Sequence, residues 1–529
     1  MFELLKASEV NLEEVRTLIH DGVDVNCVNS DGCTPLLYLA KVSKGKKNLK
    51  NAMELLLSFP IDVNKKEKRG YNALHLLCWF YQQEDLIDIV ELLIAKGIDV
   101  TLIENNEGCN ALHLLCENYR MNNLIEIIRL FINKQIDINR ENKDGWNALH
   151  ILCQNYKNEN LLNIVRLLID KKIDVHSSEN NEMKCNALHL LSENYREKNL
   201  TEIIQALIDN QIDVNSKNKD GWNGLHFACK HYDKDDLIKV VRLFISRGID
   251  VNAIEGNEGC NALHLVCDNY QNSNLKKIIQ VFIEKGIHVN TKNHDGWNAL
   301  HFACQNYKNE NMIAIVRLLM ANGIKVYTKT NKGWNALLIL CRHYFNANLN
   351  ELVRYLIENG IDVNWKNNKK WNALHFICKY YCNDNLIDII KLLIEHKIDV
   401  NCTTNEGNAL LLLSKNYYND KLIDIIQLLM EHKVDLNYRT NEGNALHLLC
   451  KYYPNKNLIN ILKLFIDKGM NWNCIDPRIL IRQNPNQKYT DDYRQLFEHV
   501  PPKAVGNEIE IEIIESSSNG ILPVSNGHS

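Results

Sequence analysis

Residues Lys219-Asp220-Gly221-Trp222-Asn223-Gly224-Leu225-His226 open a segment that continues through Asp233-Lys234-Asp235-Asp236 to Gly248-Ile249-Asp250-Val251-Asn252. Lys219-Asp220-Gly221 is turn chemistry. Asn223 stands where a helix N-cap belongs, since its side-chain carbonyl can accept from the orphan amides of a first turn. Leu225 to Tyr232 predicts a short helix, and the polar run from Asp233 to Asp236 a loop. Leu237, Val240, Val241, Phe244 and Ile245 then fall at i, i+3, i+4, i+7 and i+8, one apolar face of a second helix. Gly248 ends it as a left-handed residue would. Ile249 to Asn252 reads as an extended lead into the next turn. Two helices this short cannot bury their apolar faces alone, so the segment predicts stacking on copies of itself.

The copies are present. Asn-Ala-Leu-His occurs at Asn72, Asn110, Asn147, Asn186, Asn261, Asn298, Asn372 and Asn444, with variants at Thr34, Asn223, Asn335 and Asn408, at spacings of 36 to 39 residues. A recurrence at this period predicts a solenoid. Asp31-Gly32-Cys33-Thr34-Pro35-Leu36 at the start of a copy, and Gly22-Val23-Asp24-Val25-Asn26 or Gly360-Ile361-Asp362-Val363-Asn364 at the end of one, resemble the ankyrin repeat. The resemblance implies an all-α repeat solenoid of stacked helix-turn-helix copies with extended turns between them. It predicts a capping partial repeat over 1–30, twelve repeats over 31–475, a capping segment over 476–500 and a disordered acidic, Ser-rich tail over 501–529. The array departs from the family in two respects: the proline after the cap survives only at Pro35, and the period is about four residues longer than the usual 33. The excess lies between the helices, where Lys157-Asn158-Glu159-Asn160 predicts an enlarged loop. A second rhythm alternates the residue before the cap: Trp146, Trp222 and Trp297 interleave with Cys109, Cys185 and Cys260.

Composition narrows the function. The chain of 529 residues holds 61 Lys+Arg against 65 Asp+Glu, without the basic excess that phosphate neutralisation asks of a nucleic-acid binder. The start, Met1-Phe2-Glu3-Leu4-Leu5-Lys6, is not that of a signal peptide, and no apolar run is long enough to span a membrane. The expectation is a cytoplasmic or nuclear protein with its 17 cysteines reduced and the sequons at Asn199 and Asn401 unused. No nucleotide, protease, hydrolase or kinase motif is present, so no cofactor, no small-molecule substrate and no catalytic residue is expected.

Three recurring constellations invite chemistry. His-x-x-Cys occurs eight times, from His75/Cys78 to His447/Cys450. At i, i+3 both side chains share a helix face, but a metal site needs about four ligands together and helix packing holds copies roughly 8–10 Å apart. The resemblance implies instead a His that hydrogen-bonds near the helix start and ties adjacent turns, and Cys serves as a small core residue. A tyrosine follows three residues after the Cys or its Ser replacement, from Tyr81 to Tyr453; packing beneath the long loop is expected, with the hydroxyl at the edge. Trp146, Trp222, Trp297, Trp334 and Trp371 precede the cap, a position that in the ankyrin fold borders the concave face where partners dock. Tryptophan is enriched at binding hot spots; the alternative is that the rings cover neighbouring turns. Basic runs at Lys41 to Lys50 and Lys65 to Arg69 read first as solvated surface, and otherwise as contacts for an acidic partner or an import signal.

In the tail, Glu508-Ile509-Glu510-Ile511-Glu512-Ile513-Ile514-Glu515 alternates at period two, a strand that could add to a partner's sheet. Ile511, Ile513 and Ile514 with the following serines resemble a SUMO-interacting motif. The function these readings imply is a scaffold or adaptor for other proteins. The rival is a substrate receptor of a ubiquitin ligase: Asp476-Pro477-Arg478-Ile479-Leu480-Ile481-Arg482 lies where a SOCS box would begin but lacks its Leu-Cys-Arg core.

Overall fold

A computed structural model describes residues 1–176, 182–306, 311–343, 348–383, 385–453 and 457–470. Among them are twenty-six α-helices and no strand longer than an isolated bridge. The helices come in pairs, from Phe2–Lys6 with Leu12–His20 to Ala445–Tyr452 with Leu458–Asp467. The chain divides into two compact units, one of Met1–Asp399 and a second beginning at Val400. Within each unit first helices pack on first helices and second helices on second helices. The proposed capping segment 476–500 and tail 501–529 lie outside the described residues.

The decisive segment folds as its pattern dictates. Asn223 caps the helix Gly224–His231, its side-chain oxygen accepting from the His226 N–H at 3.0 Å. Tyr232 leaves that helix with extended backbone. The second helix is Leu237–Ser246, and Leu237, Val240, Val241 and Phe244 are fully buried. Burying such a face contributes roughly 1.5–3 kcal/mol per side chain, which is why helices too short to persist alone survive here. Gly248 follows at φ +82°. Gly224, where other copies carry Ala, is also explained: a Cβ there would meet the Phe244 ring at 3.0 Å and Leu188 at 3.1 Å. One detail differs from the sequence reading. Ile249 and Asp250 belong to no regular element, and Val251-Asn252 already form a turn, in which the Asp250 carboxylate accepts the Asn252 N–H at 2.9 Å.

Side chains then tie each copy to the next. The closing Asn of Gly-x-Asp-Val-Asn bridges two backbone groups about one period on: Asn215 donates to the Gly248 carbonyl at 3.0 Å and accepts from the Asp250 N–H at 2.7 Å. Asn64, Asn139, Asn252, Asn290, Asn364 and Asn401 repeat this ladder. Thr101, His176 and Tyr327 occupy the corresponding position without the amide. The cap Asn also ties its helix to the closing segment of its own copy: Asn110 Nδ2 donates to the Asp137 carbonyl at 2.9 Å, and Asn147 to that of Asp174 at 3.0 Å. Along the opposite edge the tyrosines are buried as expected. Tyr119 Oη donates within its own copy to Asn123 at 2.7 Å and lies 2.9 Å from the Gln83 carbonyl of the preceding loop; Tyr195 does the same with Asn199 and Asn158. The enlarged loop around Lys157–Asn160 is therefore an attachment point between copies. Tyr307 and Tyr344 lie outside the described residues.

Candidate partner-binding face

The turns and first helices carry the residues singled out above. Each His of the Asn-Ala-Leu-His string makes a reciprocal capping box with its Asn. In the copy at Asn223, His226 Nδ1 accepts the Asn223 N–H at 3.2 Å, while Nε2–H donates to the Ala253 carbonyl of the next copy at 3.0 Å. His189, His264 and His301 do the same toward Ser216, Thr291 and Thr328. With one nitrogen accepting and the other donating, the ring is neutral; burial pushes His189, His226, His264 and His301 down to about 4, against a weaker opposing pull from those carbonyls. Both nitrogens are thus spent on structure. The neighbouring thiols are driven the wrong way for metal ligation, since burial raises Cys153 to about 12 and Cys229 and Cys267 higher still. Among the described residues no three His, Cys, Asp or Glu side chains converge to hold a metal ion, and no disulfide links described cysteines.

These caps, the paired helices and the inter-copy ladder meet a family model described as ankyrin repeats (3 copies), which matches residues 4–103, 81–179, 156–255, 188–293, 234–330, 270–367, 307–404 and 343–420. The chain belongs to the ankyrin-repeat family. Ankyrin repeats are protein–protein interaction modules, and the family is in the main non-enzymatic. Comparison with curated proteins returns no match. Among the described residues no helix is long and apolar enough to cross a membrane.

In this ankyrin array the five tryptophans are not equivalent. Trp222 and Trp371 are buried, 8% and 5% exposed. Each packs on the Phe five residues on, at 5.2 Å for Phe227 and 5.0 Å for Phe376, and each lies under a lysine ammonium, Lys230 at 4.8 Å and Lys379 at 5.1 Å. Trp146, Trp297 and Trp334 are half-buried. Trp297 has Phe302 at 5.2 Å, Trp334 has Phe376 of the next copy at 4.8 Å and Arg342 at 5.2 Å, and Trp146 has the His150 ring at 6.5 Å. Packing and exposure therefore divide among the rings. The tail residues Ile511, Ile513 and Ile514, and the stretch 476–482, lie outside the described residues.

Between Trp146 and Trp222 the intervening turn carries Cys185, a much smaller side chain, and a cleft of about 400 Å³ opens there. Met183, Leu190 and Phe227 give it apolar walls, with Glu193, Lys230 and His231 also lining it. Gln154 also lines the cleft, and its Oε1 is buried with no hydrogen-bond partner. Two features of the turns escaped the sequence reading. Glu104 and Glu255, 2% and 1% exposed, are buried acids that hold their turns together: Glu255 accepts the N–H groups of Asn257, Glu258 and Cys260 at 2.7 to 2.9 Å. The only hint was the shared Ile-Glu-x-Asn-Glu-Gly-Cys-Asn spelling at 103–110 and 254–261. The cleft has no local signature, because it is made by residues three copies apart.

Three lysines of the first basic run are engaged, while Lys44 and Lys47 are exposed. Lys41 pairs with Asp31 at 2.9 Å and Lys50 with Asp88 at 2.8 Å. Lys46 is 4% exposed and donates to the Ala7 carbonyl. In the second run, Lys68 donates to the Ser30 carbonyl at 2.6 Å.

Proposed function

We propose that this protein is a scaffold or adaptor whose turns and first helices, the surface that forms the concave face in ankyrin arrays, hold a protein partner that inserts an apolar side chain between Trp146 and Trp222. The observation that carries the reading is the cleft over Cys185. Its walls are apolar and rimmed by charges of both signs, which suits a side-chain anchor surrounded by polar contacts. Gln154 supports it further: a buried oxygen without a donor costs roughly 1–3 kcal/mol, and a partner N–H would remove that cost. The compartment proposed is the cytosol or nucleus, where the many buried thiols stay reduced.

Replacing Cys185 by Trp tests this. It restores at one turn the residue its neighbours carry and fills the cleft. Partners captured by the native chain and identified by mass spectrometry should be lost with Cys185→Trp, while the melting curve stays close to native. Retention of the same partners by a folded Cys185→Trp chain would refute the cleft as the docking point.

A further inference from the structure

Two long stretches of the array without an acidic residue fall in neighbouring copies. From Asn311 to Asn350 the sequence holds Arg317, Lys325, Lys329, Lys332 and Arg342 and no acid; from Val363 to Asn383 it holds Lys366, Lys369, Lys370 and Lys379 and again none. A chain of net charge −4 has gathered these cations, apart from Arg317 on the second helix Met312–Ala321, on the turns and first helices of two consecutive copies. Their use differs from that of the run at Lys41–Lys50. Among the described residues no carboxylate forms an ion pair with Lys325, Lys329, Lys332 or Arg342. Instead Lys329 lies 4.8 Å from the Trp365 ring centre, and Arg342 lies 5.2 Å from that of Trp334 and 5.7 Å from that of Tyr380. A cation seated on a ring keeps its head available and has lost part of its rotamer freedom already.

Beside them lies a cleft of about 460 Å³ lined by Asn290, Lys292, Lys325, Tyr327, Thr328, Lys329 and Trp365. Tyr327 stands where the Asn ladder has a rung in neighbouring copies, and it is 68% exposed. The copy gives up a structural bridge and gains an open aromatic ring among three lysines. Trp365 is fixed from below, its Nε1–H donating to the Gly333 carbonyl at 2.7 Å.

We propose that the turns 323–334 and 360–371 bind an acidic peptide segment of a protein partner, its carboxylates on Lys292, Lys325 and Lys329 and an apolar side chain against Tyr327 and Trp365. The proposal rests on the reading of the array as a protein-binding scaffold and names the chemistry of one part of that partner. Single-stranded nucleic acid would need ring faces free for base stacking. Here Tyr327 alone is open: cations already lie against Trp334, Trp365 and Tyr380, and the buried Trp371 is covered by Lys379, which leaves no second platform beside it for a following base. Carboxylates ask only for the outward heads.

The test uses the full chain and a fluorescent Glu-rich peptide with one central Leu, read by anisotropy. Native protein should bind it, more weakly as salt rises. The double change Lys325→Glu with Lys329→Glu should weaken binding about tenfold or more, and should create affinity for the Lys-rich counterpart of the same peptide. Lys276→Glu with Lys277→Glu, also exposed but on a second helix, should leave binding unchanged, and so should Cys185→Trp, which keeps failure of the cleft reading separate from failure of this one. Tyr327→Ser should cost a few-fold that salt does not alter. Equal weakening by the Lys276/Lys277 control, or displacement of the peptide by oligo-uridylate at lower concentration than by unlabelled peptide, would overturn the proposal.

Discussion

The turn that ends at Trp222 is held by an amide, and the next one, ending at Cys260, by a carboxylate. Asn218 Oδ1 accepts from the N–H groups of Asp220 and Trp222 at 3.1 and 2.8 Å. Glu255, longer by one methylene, reaches three N–H groups and is buried as it does so. The first turn ends on a buried indole, and the second on a buried thiol. The Trp-bearing turns also reach back: Asn218 Nδ2 lies 3.7 Å from Cys185 Sγ and Asn293 Nδ2 3.8 Å from Cys260 Sγ of the preceding copy. From Trp146 to Trp297 rings and gaps alternate, whereas Trp297, Trp334 and Trp371 occupy consecutive turns.

The largest expected effect separates the two turn types by what their last residue does. Trp222→Ala should lose about 3–5 kcal/mol in urea denaturation, as for other buried aromatic truncations. Trp146→Ala, at a half-buried ring with fewer aromatic neighbours, should lose less than half as much. Equal losses would mean that exposure does not distinguish packing rings from docking rings.

Next in size, Glu255→Ala should destabilise by about 3 kcal/mol, because buried amides lose a charged acceptor, and Glu255→Gln should recover part of it. Asn218→Ala should cost about 1–2 kcal/mol for its two neutral bonds. If the order reverses under the same denaturation assay, the carboxylate is not what holds the Cys turn.

Acid should treat both turn types alike, since each is followed by the same neutral histidine. His226 and His264 titrate at about 4 in the folded chain against about 6.5 unfolded. The unfolded chain therefore binds more protons between those values. Stability is full above about pH 6.5 and falls as pH drops toward 4, by up to about 1.4 kcal/mol per pH unit for each such histidine. His226→Gln should flatten that slope in melts taken across the window; an unchanged slope would place the acid sensitivity elsewhere.

The smallest effect lies at the helix end before each turn. Gly248 precedes the Cys260 turn at φ +82°, but Gln211 precedes the Trp222 turn at φ +69°, a conformation unfavourable for a residue with a Cβ. Gln211→Gly should stabilise by about 0.5–1 kcal/mol and Gly248→Gln should destabilise by a similar amount, seen as opposite shifts in melting temperature.

Helix pairs, caps and core faces were legible in the sequence because each depends on residues within one copy: Asn223 on His226, Leu237 on Val240 and Phe244. The tyrosine packing followed from chemistry alone, a ring with one polar end. What could not be read runs between copies. Nothing near Asn215 announces that its amide will span Gly248 and Asp250. Glu255 looks like any surface acid until its neighbours fold over it. The five tryptophans share one spelling, yet their exposure depends on whether a Phe stands five residues on and a Lys eight, as at Phe227 and Lys230, and on the size of the side chain one copy away. The basic clusters needed geometry as well: Lys46 is buried against the Ala7 carbonyl of the preceding repeat, whereas Lys325 is exposed.

The asparagine ladder has a consequence for how such a gene can change. Every rung joins a copy only to its successor and always at the same two backbone groups, so the edge offered by Asn139 to Asp174 is interchangeable with the edge offered by Asn215 to Asp250. A duplication that inserts one ring-and-gap pair finds its neighbours already complementary on both sides. Lengthening by pairs keeps the alternation seen from Trp146 to Trp297 without redesigning a joint, whereas a single inserted copy would set two rings side by side, as Trp297 and Trp334 already are.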